Sequence, residues 1–230
     1  MAEATFRLRV TYGKTGRLRF LSHLEVARAC ERAVRRAGLE YAVTQGFNRR
    51  MKLAFGPALP VGTAGTAEVY DVWLKRFVAP DVVLGLLRSA TPEGLSPVRV
   101  HYAGEREASV AAAFTLADYE VGIGHPGRGP GTLAEAIGDV VSSGALEIEH
   151  KGARKTYDLA VCLPEGVRVR EEDGRSVASL TVRMGAQGSL RPDALVREAL
   201  RRAGMSDELM SVTRTGLRPE EASPQGRSGR

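Results

Sequence analysis

The stretch Arg17-Leu-Arg-Phe-Leu-Ser-His-Leu-Glu25 carries a strong signal for the start of a helix. Glu25 follows Ser22 by three residues, which is the spacing of a capping box. In this motif the serine side chain accepts from the third helical N–H, and the glutamate accepts from the serine N–H. Leu21 and Val26 occupy the two positions of a hydrophobic staple. The sequence therefore predicts a helix that begins directly after Ser22.

This helix is predicted to be amphipathic and to stop at Gly38, a natural residue for the left-handed turn after a helix. Its apolar residues fall on one face at 100° per residue, and four arginines form a stripe opposite them: Arg28, Arg32, Arg35 and Arg36. Such a stripe is often only solvated surface. Here the charge is local, because residues 1–60 hold 12 Lys+Arg against 4 Asp+Glu, a balance of +8 in a chain of +6. The pattern favours a polyanionic partner.

Composition limits the class of protein further. The 230 residues suffice for one large domain or two small ones, and the isoelectric point is near 9.6. Cys30 and Cys162 form no CxxC motif, which favours core thiols in a reducing compartment. The sequence has neither a signal-peptide pattern nor an apolar run of membrane-spanning length, so we expect a cytoplasmic protein without a membrane partner. Residues 218–230 have the composition of a disordered tail.

Hydrophobic periodicity predicts the order β-α-β-β-α-β in the first half. The expected strands are residues 6–12, 41–45 with 52–55, 69–76 and 98–102, and the second helix begins at Pro80. The second half repeats this order with strands at 113–121, 145–149, 155–162, 179–184 and 209–214, a capping box at Thr132, a helix at Pro192 and an extra strand or hairpin near 167–171.

Three landmarks recur at nearly one spacing, which indicates a duplication. Ser22 and Thr132 lie 110 residues apart, Pro80 and Pro192 lie 112 apart, and a Gly-x-Ser triplet recurs after 110. The prediction is an α+β fold of two tandem ferredoxin-like units with antiparallel sheets. The units are expected at 1–105 and 106–217.

Such units leave one face of each sheet open. Arg7 and Arg9 are expected on the open face together with Trp73, an arrangement that can stack unpaired bases. Alternatively, this face packs against the other half and buries Trp73.

His23 is the sharpest candidate for chemistry, because it lies at the positive end of the predicted helix. That position favours a neutral imidazole that can contact a phosphate or a ribose hydroxyl. The alternative is a histidine packed at the start of the helix. No histidine has metal-ligand spacing to a cysteine or carboxylate, so we expect no metal and no cofactor.

The loop after the helix is rich in turn-forming and basic residues. Residues 45–60 contain arginines and a lysine close to glycines, a composition suited to wrapping a phosphate backbone, although the Walker A pattern is absent.

The order of these motifs resembles an uncharacterised "radical SAM-linked protein" family. The resemblance rests on residues 19–25, 31–39, Gln45-Gly-Phe-Asn, Leu59-Pro-Val-Gly62 and Glu68. It implies a companion of cobalamin-binding radical SAM proteins, often encoded near ribonuclease E/G. Arg49 and Met51 replace two prolines that are usual in the family, which implies a more flexible and more basic loop. The chain lacks CxxxCxxC and cannot ligate the radical SAM cluster alone.

Three functions remain open. The first is an RNA-binding accessory protein that acts with a radical SAM enzyme or ribonuclease in rRNA or tRNA maturation or modification. The second is a metal-independent endoribonuclease using His23, for which the fold resembles CRISPR repeat-processing endoribonucleases. The third is a protein–protein adaptor. The candidate RNA-binding residues are Arg7, Arg9, Arg17, Arg19, Ser22, Arg28, Arg32, Arg35, Arg36, Gln45, Asn48, Arg49, Arg50, Lys52 and Trp73.

Overall fold

The fold combines a mostly antiparallel sheet with packed helices, as seen in a computed structural model that describes residues 5–104, 106–124, 130–150, 153–185, 189–205 and 210–220. Within these ranges lie ten strands and five helices. The strands are β1 (Phe6–Lys14), β2 (Leu53–Phe55), β3 (Ala64–Leu74), β4 (Pro97–Tyr102), β5 (Leu116–Gly124), β6 (Ala145–His150), β7 (Ala153–Asp158), β8 (Val167–Glu172), β9 (Arg175–Arg183) and β10 (Met210–Arg218). The helices are α1 (His23–Arg36), α2 (Pro80–Ala90), α3 (Pro130–Ser142), α4 (Leu159–Cys162) and α5 (Pro192–Arg202).

Helix α1 confirms the capping box. The Ser22 hydroxyl accepts from the Glu25 N–H, and the Glu25 carboxylate accepts from the Ser22 N–H at 2.8 Å. The helix ends at Arg36, and Gly38 follows with a φ of +67°, in the left-handed region that favours glycine. Val26 and Val34 are among the apolar residues that α1 buries, so the predicted apolar face is also confirmed.

The core of the first half lies between the sheet and helices α1 and α2. Leu8, Val10 and Tyr12 of β1 point into it, as do Tyr70 and Val72 of β3. Strand β1 lies between β3 and β4, and both pairings are antiparallel. The helices therefore cover one face of the sheet and leave the alternate β1 residues on the other.

The two halves do not form the separate antiparallel sheets that the sequence suggested. One sheet continues in the order β4-β1-β3-β10-β5-β9-β8, and β3 and β10 join it through parallel pairing. The reason lies in strand length. The three-residue β2 pairs with β3 only at residues 70–72, so the other end of β3 keeps a free edge. At that end, Thr213 and Arg214 of β10 pair with Ala64 and Gly65.

The extra strand or hairpin expected near residues 167–171 is present, as β8 and its hairpin with β9. β8 belongs to the main sheet beside β9, whereas β6 and β7 form a separate two-stranded sheet. The predicted strand 155–162 ends at Asp158, which caps α4 by accepting from the Val161 N–H at 3.2 Å. Cys162 therefore lies half-buried at the end of a helix. Thr132 is not an N-cap, since α3 begins at Pro130.

The face of the first half opposite the helices is not fully open. The Arg9 guanidinium forms a buried ion pair with Asp71 at 2.7 Å, and it also binds Glu107 at 2.6 Å and the Ala108 carbonyl. Arg7 donates to the carbonyls of Gly104 and Glu107. The segment after β4 thus covers part of this face, and the other half does not dock onto it as a second sheet.

Two predictions concern the ends and the environment of the chain. Arg218, the first residue of the predicted tail, is instead the last residue of β10 and pairs with Asp118 and Glu165. Residues 221–230 of that tail lie outside the described residues. Across the described ranges, no helix combines the length and apolar character needed to cross a membrane.

Candidate nucleic-acid interface

Residues 41–52, which include the first part of the predicted basic loop at 45–60, leave the sheet as a small closed projection. At its base the Lys52 N–H donates to the Ala42 carbonyl at 2.8 Å. Further out, the Thr44 N–H donates to the Arg50 carbonyl at 2.8 Å, and the Arg50 N–H donates to the Thr44 hydroxyl at 3.1 Å. Met51 is buried and anchors the loop in the core. These contacts hold residues 45–49 away from the body of the protein.

A cleft of about 590 Å³ lies on one side of this loop. Its cationic residues are Arg49 and Lys52 of the loop and Lys75, which follows β3. The loop also contributes Thr44 and Gln45, which can hydrogen-bond to an anion. Concave shape and positive charge together suit a phosphorylated ligand.

A second cleft of about 360 Å³ lies between the loop and the exposed side of α1. Arg28 and Arg35 reach it from the helix, and Arg49 and Arg50 reach it from the loop. Arg35 also contacts Glu31 at 3.5 Å, as expected for residues one turn apart. Because Arg49 lines both clefts, they form one surface that we call the basic loop surface.

Charge on the basic loop surface is strongly one-sided. Six cationic residues line the two clefts, and Glu31 is the only acidic residue among the described residues that line them. The six are Arg28, Arg35, Arg49, Arg50, Lys52 and Lys75. A polyanion can therefore approach this surface with little opposing repulsion.

Several predicted binding residues lie elsewhere. Arg32 and Arg36 are exposed on α1 but line neither cleft. Arg17 and Arg19 lie in the 3-10 turn Gly16–Phe20, where the Arg19 guanidinium lies 4.8 Å from the centre of the Phe20 ring. Asn48 is exposed on the loop.

Other predicted residues serve the protein itself. Arg7 and Arg9 bind the segment after β4, as described above, and Ser22 is occupied by the cap of α1. Trp73 is half-buried, and the Lys52 ammonium lies 4.5 Å from the centre of its ring. One face of the indole is therefore covered by a cation.

His23 is exposed at the start of α1 and contacts the Phe55 ring edge-on, with 5.3 Å between the ring centres. The positive end of the helix is already occupied by the Glu25 carboxylate, whose pKa is lowered by hydrogen bonds from the Ser22 N–H and hydroxyl. Among the described contacts of His23 there is no hydrogen bond to an acid or base.

Beneath His23 lies a small group of buried charges. Lys14 and Glu68 line a cavity of about 10 Å³ with His23. Glu68 pairs with Arg214 of β10, whereas the Lys14 ammonium has no hydrogen bond or ion pair in the described contacts. Burial lowers the pKa of Lys14. The cavity holds one water at most, so this group is part of the protein interior.

Residues that the sequence analysis did not select also reach the basic loop surface. Thr44 and Lys75 line the larger cleft, and Leu24 and Val43 expose apolar atoms in the smaller one. Phe47, at the end of the loop, is fully exposed. In the sequence, the signal for Phe47 was an apolar residue between Gly46 and Asn48 in a turn-rich basic loop.

In the described part of the chain, no group of three or more His, Cys, Asp or Glu residues could hold a metal ion.

The chain matches the family described as "Uncharacterized protein conserved in bacteria (DUF2344)" over residues 7–192. It matches no curated protein. A solved structure described as "Crystal Structure of an Unknown Protein from Galdieria sulphuraria" is similar over 94% of this chain and 98% of that chain, at 14% identity and a TM-score of 0.28. Because the family match spans well over half of the chain, the protein belongs to the DUF2344 family.

Proposed function

We propose that this protein binds RNA through the basic loop surface and is an accessory protein in rRNA or tRNA maturation or modification. The observation that carries the proposal is the position of Arg49, which lines both clefts and so connects the cations of the loop with those of α1. A continuous set of cations along two adjoining clefts can follow a phosphate backbone.

Guanidinium groups supply most of this charge, and they bind phosphate through two parallel hydrogen bonds. Four of the six cations are arginines, and three of them, Arg28, Arg49 and Arg50, have no salt bridge among the described contacts. RNA affinity should therefore fall steeply with salt, since each phosphate contact releases counterions.

The partner of this activity is proposed to be a radical SAM enzyme or a ribonuclease. The resemblance of residues 19–68 to radical SAM-linked proteins supports this choice. The protein would present RNA while its partner performs the chemistry. The absence of a partner for His23 in the described contacts favours an accessory protein over an endoribonuclease.

The proposal extends to a duplication of the fold as tandem ferredoxin-like units. Strand order supports it. In the first half β4, β1, β3 and β2 are neighbours in that order, and in the second half β10, β5, β9 and β8 follow in the same way. With the β6–β7 hairpin and α4 treated as an insertion, each half has the connectivity β-α-β-β-α-β.

Binding of a labelled single-stranded RNA at several salt concentrations tests the function. The double variant Arg49→Glu/Arg50→Glu should lower affinity about a hundredfold at low salt. It should also reduce the slope of log affinity against log salt by about 1.4, since about 0.7 is lost per contact with a single strand. Arg32→Glu/Arg36→Glu, outside the clefts, should have a smaller effect.

The matched control is Arg168→Glu/Arg175→Glu, which makes the same charge change at exposed positions of the β8–β9 hairpin. If this control loses as much affinity as the loop variant, binding follows net charge and not the basic loop surface. Unchanged binding of the loop variant at every salt concentration would favour the protein adaptor.

A further inference from the structure

The end of the basic loop carries an aromatic ring that makes no ring contact within the described part of the chain. Phe47 is fully exposed. It follows Gly46, which has a φ of +155°, a conformation that glycine adopts readily. Two hydrogen bonds between Thr44 and Arg50, one between backbone groups and one to the Thr44 hydroxyl, close the loop behind it. The ring is thus held out into solvent by an ordered base.

The surroundings of Phe47 combine apolar and cationic atoms. Arg49 and Arg50 follow it closely, and both line the cleft beside α1. Leu24 and Val43 are exposed in the same cleft. A ligand that satisfies this surface must offer both anionic groups and flat apolar faces.

We propose that the RNA bound here is single-stranded and that Phe47 stacks on an unpaired base, while the two clefts hold phosphates on either side of the loop. This inference rests on the proposed function. In duplex RNA the base faces are already stacked, and the A-form major groove is too narrow for a side chain to reach them. An unpaired strand exposes base faces to an aromatic ring and phosphates to the arginines.

Trp73 is less suited to the same role. The Lys52 ammonium already lies 4.5 Å from the centre of its ring, and the indole is half-buried beside the sheet. Phe47 is therefore the stacking residue. The Lys52 ammonium can contact a phosphate as well as the Trp73 indole.

The test compares binding of an oligouridylate with binding of an RNA duplex of equal length by fluorescence anisotropy. Phe47→Ala should weaken single-strand affinity about tenfold, a loss typical of one base–aromatic stack. The salt slope should stay unchanged, because no phosphate contact is removed. Duplex affinity should also stay unchanged, and Phe47→Trp should retain single-strand affinity.

Phe77→Ala is the matched control, since Phe77 is an exposed phenylalanine that lines neither cleft and contacts Phe6 and Tyr102. Equal losses on single strand and duplex, or no loss in Phe47→Ala, would overturn the stacking role while leaving RNA binding in place. If the wild type binds neither RNA, the proposed function fails as well. Binding to phosphatidylserine vesicles that is lost in Phe47→Ala, without RNA binding, would assign the loop to an anionic lipid surface instead.

Discussion

Arg214 of β10 and Glu68 of β3 form an ion pair across the junction of the two halves. The Arg214 guanidinium donates to both Glu68 carboxylate oxygens, with 2.8 Å between Nε and Oε1, and to the Pro57 carbonyl. The two residues are 2% and 4% exposed. Because β3 and β10 share only two register pairs among the described residues, this ion pair is a major contact of the junction.

Removing one member of the pair should destabilise the protein strongly. Arg214→Met leaves the Glu68 carboxylate buried without its partner, and we expect the free energy of unfolding to fall by about 3–5 kcal/mol. Glu68→Met should cost a similar amount, and the double variant less than the sum of the two. Chemical denaturation followed by circular dichroism measures these changes.

The control is Arg170→Ala, which removes a pair with Glu120 whose side chains are 45% and 40% exposed. It should cost less than about 1 kcal/mol. If Arg214→Met costs no more than Arg170→Ala, the buried pair does not hold the halves together.

Lys14 should destabilise the folded protein, since it is 2% exposed and its ammonium has no hydrogen bond or ion pair within the described contacts. Lys14→Met should raise the free energy of unfolding by about 1–3 kcal/mol, the cost of an unsatisfied buried polar group. The variant Glu68→Met also affects Lys14. The Glu68 charge raises the pKa of Lys14, whereas burial lowers it.

The gain from Lys14→Met should depend on pH. Burial lowers the pKa of Lys14 below its ordinary value of 10.5, so the unfolded chain binds the proton more tightly. The free energy of unfolding of the wild type therefore rises as the pH rises from the lowered pKa towards 10.5. The variant has no lysine at this position and does not show this rise. The difference between the two proteins should shrink with pH; a constant difference would contradict this account. Raised pKa values of Tyr12 and Tyr70 affect both proteins alike and cancel.

The two cysteines should differ in reactivity. Burial raises the pKa of Cys30 to about 12, so almost no thiolate forms at pH 8. Cys162 is half-buried, with a pKa that burial also raises. We expect a thiol reagent to modify Cys162 slowly in the native protein and Cys30 only on unfolding, as followed by mass spectrometry. Rapid modification of Cys30 would show that α1 detaches from the core.

His23→Ala separates an enzyme from a binding protein. The ring contacts Phe55 and has no hydrogen bond to an acid or base in the described contacts, so we expect no metal-independent cleavage of structured RNA by wild type or variant. RNA affinity should fall by at most about 1 kcal/mol. Cleavage by purified wild type that drops roughly a hundredfold in His23→Ala would establish His23 as a general acid or base.

Local signals in the sequence were sufficient for the helix that begins directly after Ser22 and for those that begin at Pro80 and Pro192. A cap side chain or a proline determines such a start within a few residues, so no distant contact is needed. The β3–β10 pairing could not be predicted, because it depends on an edge of β3 that the short β2 leaves free. Glu68 and Arg214, which meet at this junction, are 146 residues apart in the chain.

The same contrast holds for the candidate site. The arginines of α1 and the loop could be identified as a basic region, because helical spacing places Arg28 and Arg35 on one face. Arg9 was misassigned, since alternation shows only that it points away from the helices. Its burial depends on Asp71 and on Glu107, a distant residue that folds over the sheet. Alternation along a strand does not show what covers a face.

Ultraviolet crosslinking of a single-stranded RNA to the full chain, followed by peptide mapping, tests the central claim most directly. The account predicts adducts concentrated in residues 41–52, with Phe47 among the modified positions, and further adducts in α1. Adducts confined to the second half, or none under conditions in which a known RNA-binding protein is crosslinked, would contradict it.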